Sequence, residues 1–108
     1  MIYKINILEN ANNDLNHLRR NDKNAYIKVF DLLREIVINP REGTGKPERL
    51  KYFDKEVYSR RVNHKDRLVY TIYESLKEVD VSSCVGHYEW ILYKNYSEDE
   101  RKLVSIGT

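Results

Sequence analysis

Residues 57–71 read VYSRRVNHKDRLVYT, and the fold is decided by how this stretch is paired. Val57 to Val62 and Asp66 to Glu74 carry the alternation of half-buried strands, and Asn63-His64-Lys65 between them suits a three-residue hairpin loop. That loop pairs Val62 with Asp66 and Arg61 with Arg67. Val57, Ser59, Arg61, Arg67, Val69 and Thr71 then share one face of the sheet. Two arginines would oppose each other across the ladder, and like charges placed so destabilise a sheet. Either an anion such as phosphate sits between them, or the register differs, or one arginine turns away to pair with Glu48, Asp54 or Asp66.

Beyond this hairpin, Ser75-Leu76-Lys77 reads as a second loop. A strand over 78–87 follows, in which His87 keeps the parity of Val79, Val81, Ser83 and Val85. Before it, 49–53 reads as a short strand preceded by the turn-rich loop Gly43-Thr44-Gly45-Lys46-Pro47. Upstream, Asn21 or Asp22 can cap a helix whose stripe is Tyr26, Val29, Phe30, Leu33, Ile36 and Val37, ending before Asn39-Pro40. Asn10 can cap a shorter polar helix that turns Ala11, Leu15 and Leu18 inward. Tyr3, Ile5 and Ile7 alternate with polar residues as an opening strand. The order β-α-α-β-β-β-β predicts an α+β domain, with a mainly antiparallel sheet and both helices on one face.

A length of 108 residues gives one domain with one core. With 41% hydrophobic and 33% charged residues, 4 Gly and 2 Pro, the composition excludes collagen-like, low-complexity and wholly disordered chains. Cys84 is the single cysteine, and no apolar run has the length of a signal-peptide core or a membrane span. The expectation is a cytoplasmic protein with no membrane partner. The nine tyrosines suit a sheet-rich core and base stacking alike. A net charge of +2 hides an asymmetry. Segment 46–67 holds Lys46, Arg49, Lys51, Lys55, Arg60, Arg61, Lys65 and Arg67 against Glu48, Asp54, Glu56 and Asp66, a net of +4 that leaves −2 for the remainder. Basic charge confined to a strand-rich segment is the footprint of a polyanion. His17, His64 and His87 are scattered without cysteine partners, so neither a metal site nor a cofactor is expected. Gly45-Lys46 is no phosphate loop, because Pro40 stands at the required first glycine and Pro47 follows the lysine.

Gly43-Thr44-Gly45-Lys46-Pro47-Glu48-Arg49-Leu50-Lys51, Tyr58-Ser59-Arg60-Arg61-Val62, Arg67-Leu68-Val69-Tyr70 and His87-Tyr88 together resemble the Txe/YoeB family of RelE-like toxins. The ordered likeness covers about 40–88. It implies a metal-independent endoribonuclease that cleaves mRNA in the ribosomal A site. Ribosome and mRNA would be partners, and an antitoxin of the YefM/Axe type would neutralise it. By the same resemblance Glu48 is the general base, Arg67 the transition-state stabiliser, His87 the general acid and Tyr88 an active-site tyrosine. Lys51 and Arg61 match phosphate-contacting positions, and Lys46 a backbone contact. RNA supplies its own nucleophile in the 2′-OH, so a base, cations and an acid suffice.

Other readings are a non-enzymatic ParE-like toxin, against which Glu48, Lys51, Arg61, Arg67 and His87 argue, and an inactive nucleic-acid-binding module. Two features depart from the family pattern. Asp66 stands where the family has His, and the chain runs 20 residues past Tyr88. Residues 1–88 are therefore read as the toxin domain and 89–108 as an extension. Trp90, Ile91, Leu92 and Tyr93 bring apolar surface to it, and Ser97 with Glu100 forms a capping box. Such a segment packs on the domain or on the mate of a homodimer, or else covers the site as a lid.

Overall fold

The computed structural model describes residues 2–51 and 53–86. Strand β1 (Lys4–Ile7) leads into helices α1 (Glu9–Asn21) and α2 (Lys23–Ile38). Strands β2 (Glu48–Arg49), β3 (Glu56–Arg61), β4 (Arg67–Tyr73) and β5 (Glu78–Ser83) follow, with a 3-10 turn over Glu74–Leu76. They form a five-stranded sheet in the order β1-β5-β4-β3-β2. β1 lies parallel to β5, and the remaining pairs are antiparallel. The element order is the one the sequence predicts.

The cap of α2 is also as expected: Asp22 Oδ1 accepts from the Ala25 N–H at 3.1 Å. Such a cap contributes about 1 kcal/mol. The buried face of α2 is Ala25, Val29, Leu32, Leu33 and Ile36. It is rotated from the predicted stripe, because Ala25 and Leu32 take inward positions while Phe30 stays partly exposed with its ring edge-on to Tyr26. Helix α1 turns Ala11, Leu15 and Leu18 inward as predicted, but Asn10 is not its cap. The Leu8 N–H already bonds the Val81 carbonyl, so the helix begins at Glu9. The Asn10 amide instead donates to the Ser82 carbonyl at 3.0 Å, tying α1 to β5.

Two strand boundaries differ from expectation. β2 spans only two residues, and β5 ends at Ser83 instead of 87. In β5 the register slips: Tyr70 faces Val81, whereas Val69 faces Ser83, so Ser82 is an extra residue in the ladder. Ser82 Oγ donates to the Val69 carbonyl at 3.2 Å and holds this bulge. The parity of Val79 and Val81 therefore does not carry through to Ser83.

The main core fills the space between the helices and one sheet face, where Leu32, Ile36, Leu68, Tyr70, Val79 and Val81 meet. On the other face Leu50, Val57 and Val69, with Phe53 beside them, form a smaller apolar patch. No helix among the described residues is long and apolar enough to cross a membrane. The expectations for His87, Tyr88 and the extension over 89–108 lie outside the described residues.

Candidate active site

Alternation along β3 sends Tyr58 and Arg60 toward the helices and leaves Val57, Ser59 and Arg61 on the open face. The hairpin pairs Arg61 with Arg67 and Ser59 with Val69, as the loop length predicts, and β2 sets Glu48 opposite Ser59. A row Glu48, Ser59, Val69, Ser83 thus runs across four strands. Arg67 reaches diagonally into it. Its Nη1 donates to Ser59 Oγ at 3.2 Å and lies 3.8 Å from Glu48 Oε1. The arginines are paired in the predicted register, and of the alternatives the sequence left open the structure shows the one in which an arginine turns to Glu48. Only 15% of the Arg67 side chain is exposed against 53% for Glu48, so the cation is anchored and the acid is accessible.

A strained loop delivers Glu48. The Gly45 carbonyl accepts from the Arg61 N–H at 2.7 Å, and Gly45 has φ +82°. A Cβ there would meet the Arg61 carbonyl oxygen at 3.0 Å, so only glycine fits both the space and the backbone. Lys46 follows in the left-handed region, φ 51°, although it carries a side chain and precedes Pro47. Behind this loop stands Arg60, whose side chain is fully buried. Its Nε donates to Tyr70 Oη at 3.0 Å, and Nη1 to Glu35 Oε1 at 3.0 Å and the Thr44 carbonyl at 3.3 Å. Nη2 donates to the carbonyls of Asn39 and Glu42 at 3.0 and 2.8 Å. Tyr70 in turn donates to the Pro40 carbonyl at 2.7 Å. The sequence count assigned Arg60 to the polyanion patch, and the structure removes it: that guanidinium holds the loop from inside. Arg49, opposite Tyr58, alternates away from Glu48 as well.

Of the sequence-predicted residues, Glu48 and Arg67 come together, and Arg61, Lys46 and Lys51 are exposed. His87 and Tyr88 lie outside the described residues. Two serines escaped the sequence reading as site members. Ser59 touches Arg67, and its parity with Arg61 was the available signal. Ser83 is buried with no hydrogen-bond partner for its Oγ among the described residues, and the bulge that puts it in the row left no mark in the sequence. Among the described residues no group of three or more His, Cys, Asp or Glu could hold a metal ion. Burial pushes the Cys84 thiol well above its ordinary range, which leaves it protonated and unreactive.

This strand order, with two helices on one face, is that of a RelE-like fold. The RelE–RelB complex from Pyrococcus horikoshii OT3 shares the fold at a TM-score of 0.65 and 18% identity, over 80% of this chain and 96% of that one. Residues 8–88 match the family described as YoeB-like toxin of bacterial type II toxin-antitoxin system, and the chain belongs to that family. Toxin YoeB from Synechocystis sp. is 36% identical over 86 residues, 80% of this chain and 98% of that protein. YoeB from Staphylococcus aureus, solved as a dimer and in a heterotetrameric complex with YefM, is 38% identical over 82% of this chain and 100% of its own, at TM-scores of 0.71 and 0.68.

Proposed function

We propose that this toxin is an endoribonuclease that cleaves mRNA in the ribosomal A site. The observation that carries the reading is the Glu48 carboxylate 3.8 Å from the Arg67 guanidinium on an open, basic sheet face. Glu48 takes the proton from a ribose 2′-OH, and the 2′-oxygen attacks the adjacent phosphorus. Arg67, steadied by Ser59, bears the charge that develops on the phosphorane oxygens. His87 protonates the departing 5′-oxygen, with Tyr88 beside the reaction, leaving a 2′,3′-cyclic phosphate and a 5′-hydroxyl. Every atom of this scheme is supplied by RNA and side chains, so it calls for no metal. Lys46, Lys51 and Arg61 hold the RNA backbone. Because the Staphylococcus aureus relative assembles with YefM and with itself, a YefM-type antitoxin and a second copy of the chain are the proposed partners.

The test is incubation with ribosomes and a defined mRNA. Glu48→Gln, Arg67→Ala and His87→Ala should each lower cleavage by about 10²- to 10⁴-fold with little change in thermal midpoint. Wild-type rates in all three would refute the assignment.

A further inference from the structure

The structure gives Asp66, just before β4, a task. The carboxylate is almost wholly buried, with 4% of the residue exposed. Its Oδ1 accepts from the Gly86 N–H at 2.9 Å, and its Oδ2 accepts from the Asn63 amide at 3.2 Å. Asn63 Oδ1 in turn accepts from the backbone N–H groups of Lys65 and Asp66, at 2.9 and 2.8 Å, so the acid is fixed from both ends. Gly86 is held a second time, because its carbonyl accepts from the Arg67 N–H at 3.1 Å. Two residues earlier the Cys84 N–H donates to Asp14 Oδ2 at 3.0 Å, which fastens the same segment to α1. The chain beyond β5 has left the ladder, yet the Asp66 carboxylate and the Arg67 N–H hold it to the start of β4, and Asp14 holds it to α1. The Gly86 carbonyl belongs to the planar peptide unit that joins it to His87.

We propose that Asp66 is a positioning residue: by holding Gly86 against the start of β4 it sets the point from which the chain delivers His87 relative to Arg67. This rests on the reading of His87 as the proton donor. A small displacement of a reacting group costs rate with little effect on binding, so the signature is a fall in kcat at constant KM.

Asp66→Ala and Asp66→Ser remove the acceptor that reaches Gly86, while Asp66→Asn keeps a carbonyl oxygen there. Cleavage would be measured well below each variant's thermal midpoint, with His87→Ala in parallel, and Gly86 amide exchange and the His87 ring resonances followed by NMR. The expected result is kcat lowered about tenfold or more in the Ala and Ser variants, KM unchanged, and activity within about threefold of wild type in the Asn variant. Gly86 exchange should accelerate and the His87 resonances shift in the Ala and Ser variants alone. Wild-type kcat in a folded Ala or Ser variant, or equal losses in Asn and Ala, would overturn the proposal; if the Ala variant does not fold, the Ser variant decides. Should wild type not cleave, or His87→Ala cleave normally, the nuclease reading falls, and unchanged Gly86 and His87 signals in the Ser variant would then overturn the positioning role independently.

Discussion

Arg60 and Arg61 occupy adjacent positions of β3, yet alternation buries one guanidinium under the helices and leaves the other on the open face. On the covered side the charge meets Glu35, the Tyr70 hydroxyl and three loop carbonyls, as a buried cation must. On the open side Arg61 stands opposite Arg67 in the ladder, and Arg67 turns its guanidinium toward Ser59 and Glu48. Equal charges in sequence are thus unequal in surroundings: one guanidinium holds the loop that presents Glu48, the other is exposed to solvent.

Removing Arg60 should have the largest effect. Arg60→Ala leaves Glu35 and the carbonyls of Asn39, Glu42 and Thr44 without their donor, and unfolding by urea should show a loss of about 3–5 kcal/mol. Arg60→Lys should lose much of the same stability, since an ammonium cannot reproduce the fork. A loss below about 1 kcal/mol would erase the contrast between the two arginines. On the open face, Arg61→Ala and Lys51→Ala should leave the thermal midpoint nearly unchanged. Each should make the log–log salt dependence of RNA binding shallower by about 0.7, and an unaltered slope would remove these residues from the interface. Lys46→Gly relieves a left-handed side-chain-bearing residue and should raise stability by about 1 kcal/mol, measured by the same urea titration. A decrease would mean that the loop is not strained there.

The smallest effect separates the faces by pH. The Thr44 hydroxyl and N–H, with Arg60, hold the Glu35 carboxyl below its ordinary range, and Arg41 does the same for Glu56. Lys77, Tyr3 and Arg41 lower Glu74 from 4.5 to about 2. Groups with lowered folded pKa values stabilise above their unfolded pKa and lose that contribution as pH falls through the folded one. Thermal midpoints should therefore drop between about pH 4.5 and pH 2, and Arg41→Ala should flatten that drop. An identical acid profile in the variant would show that this cluster does not set the acid limit.

Much of this was legible because it is local. The loop Asn63-His64-Lys65 fixed the register that brings Arg61 to Arg67, and the Asp22 cap announced α2. Glu48 and Arg67 were legible through the family resemblance, and their meeting follows from the same ladder. What escaped depends on tertiary partners. Arg60 looks like Arg61 until Glu35 and the loop carbonyls stand around it. Asn10 has the side chain of a cap, but the pairing of Leu8 with Val81 starts the helix at Glu9, and the Asn10 amide donates to the Ser82 carbonyl instead. The bulge at Ser82 arises from the pairing of β4 with β5, and no residue type demands it.

The parallel pairing of β1 with β5 imposes a timetable on the molecule. Lys4 waits for Glu78 and Ile7 for Val81, so the strand made first has no partner until β5 is made. At synthesis rates of about 5–20 residues per second, roughly 4 to 15 s separate the appearance of the two partners. The hairpin of β3 and β4 is complete only at Tyr73, near the end of that interval, and the flank that carries Gly86 follows within a few seconds. The closure of a long loop then adds its own delay, slow compared with the joining of neighbouring strands. A newly made chain of this toxin thus holds Glu48 and Arg67 on paired strands before the opposite edge of the sheet is closed by β1.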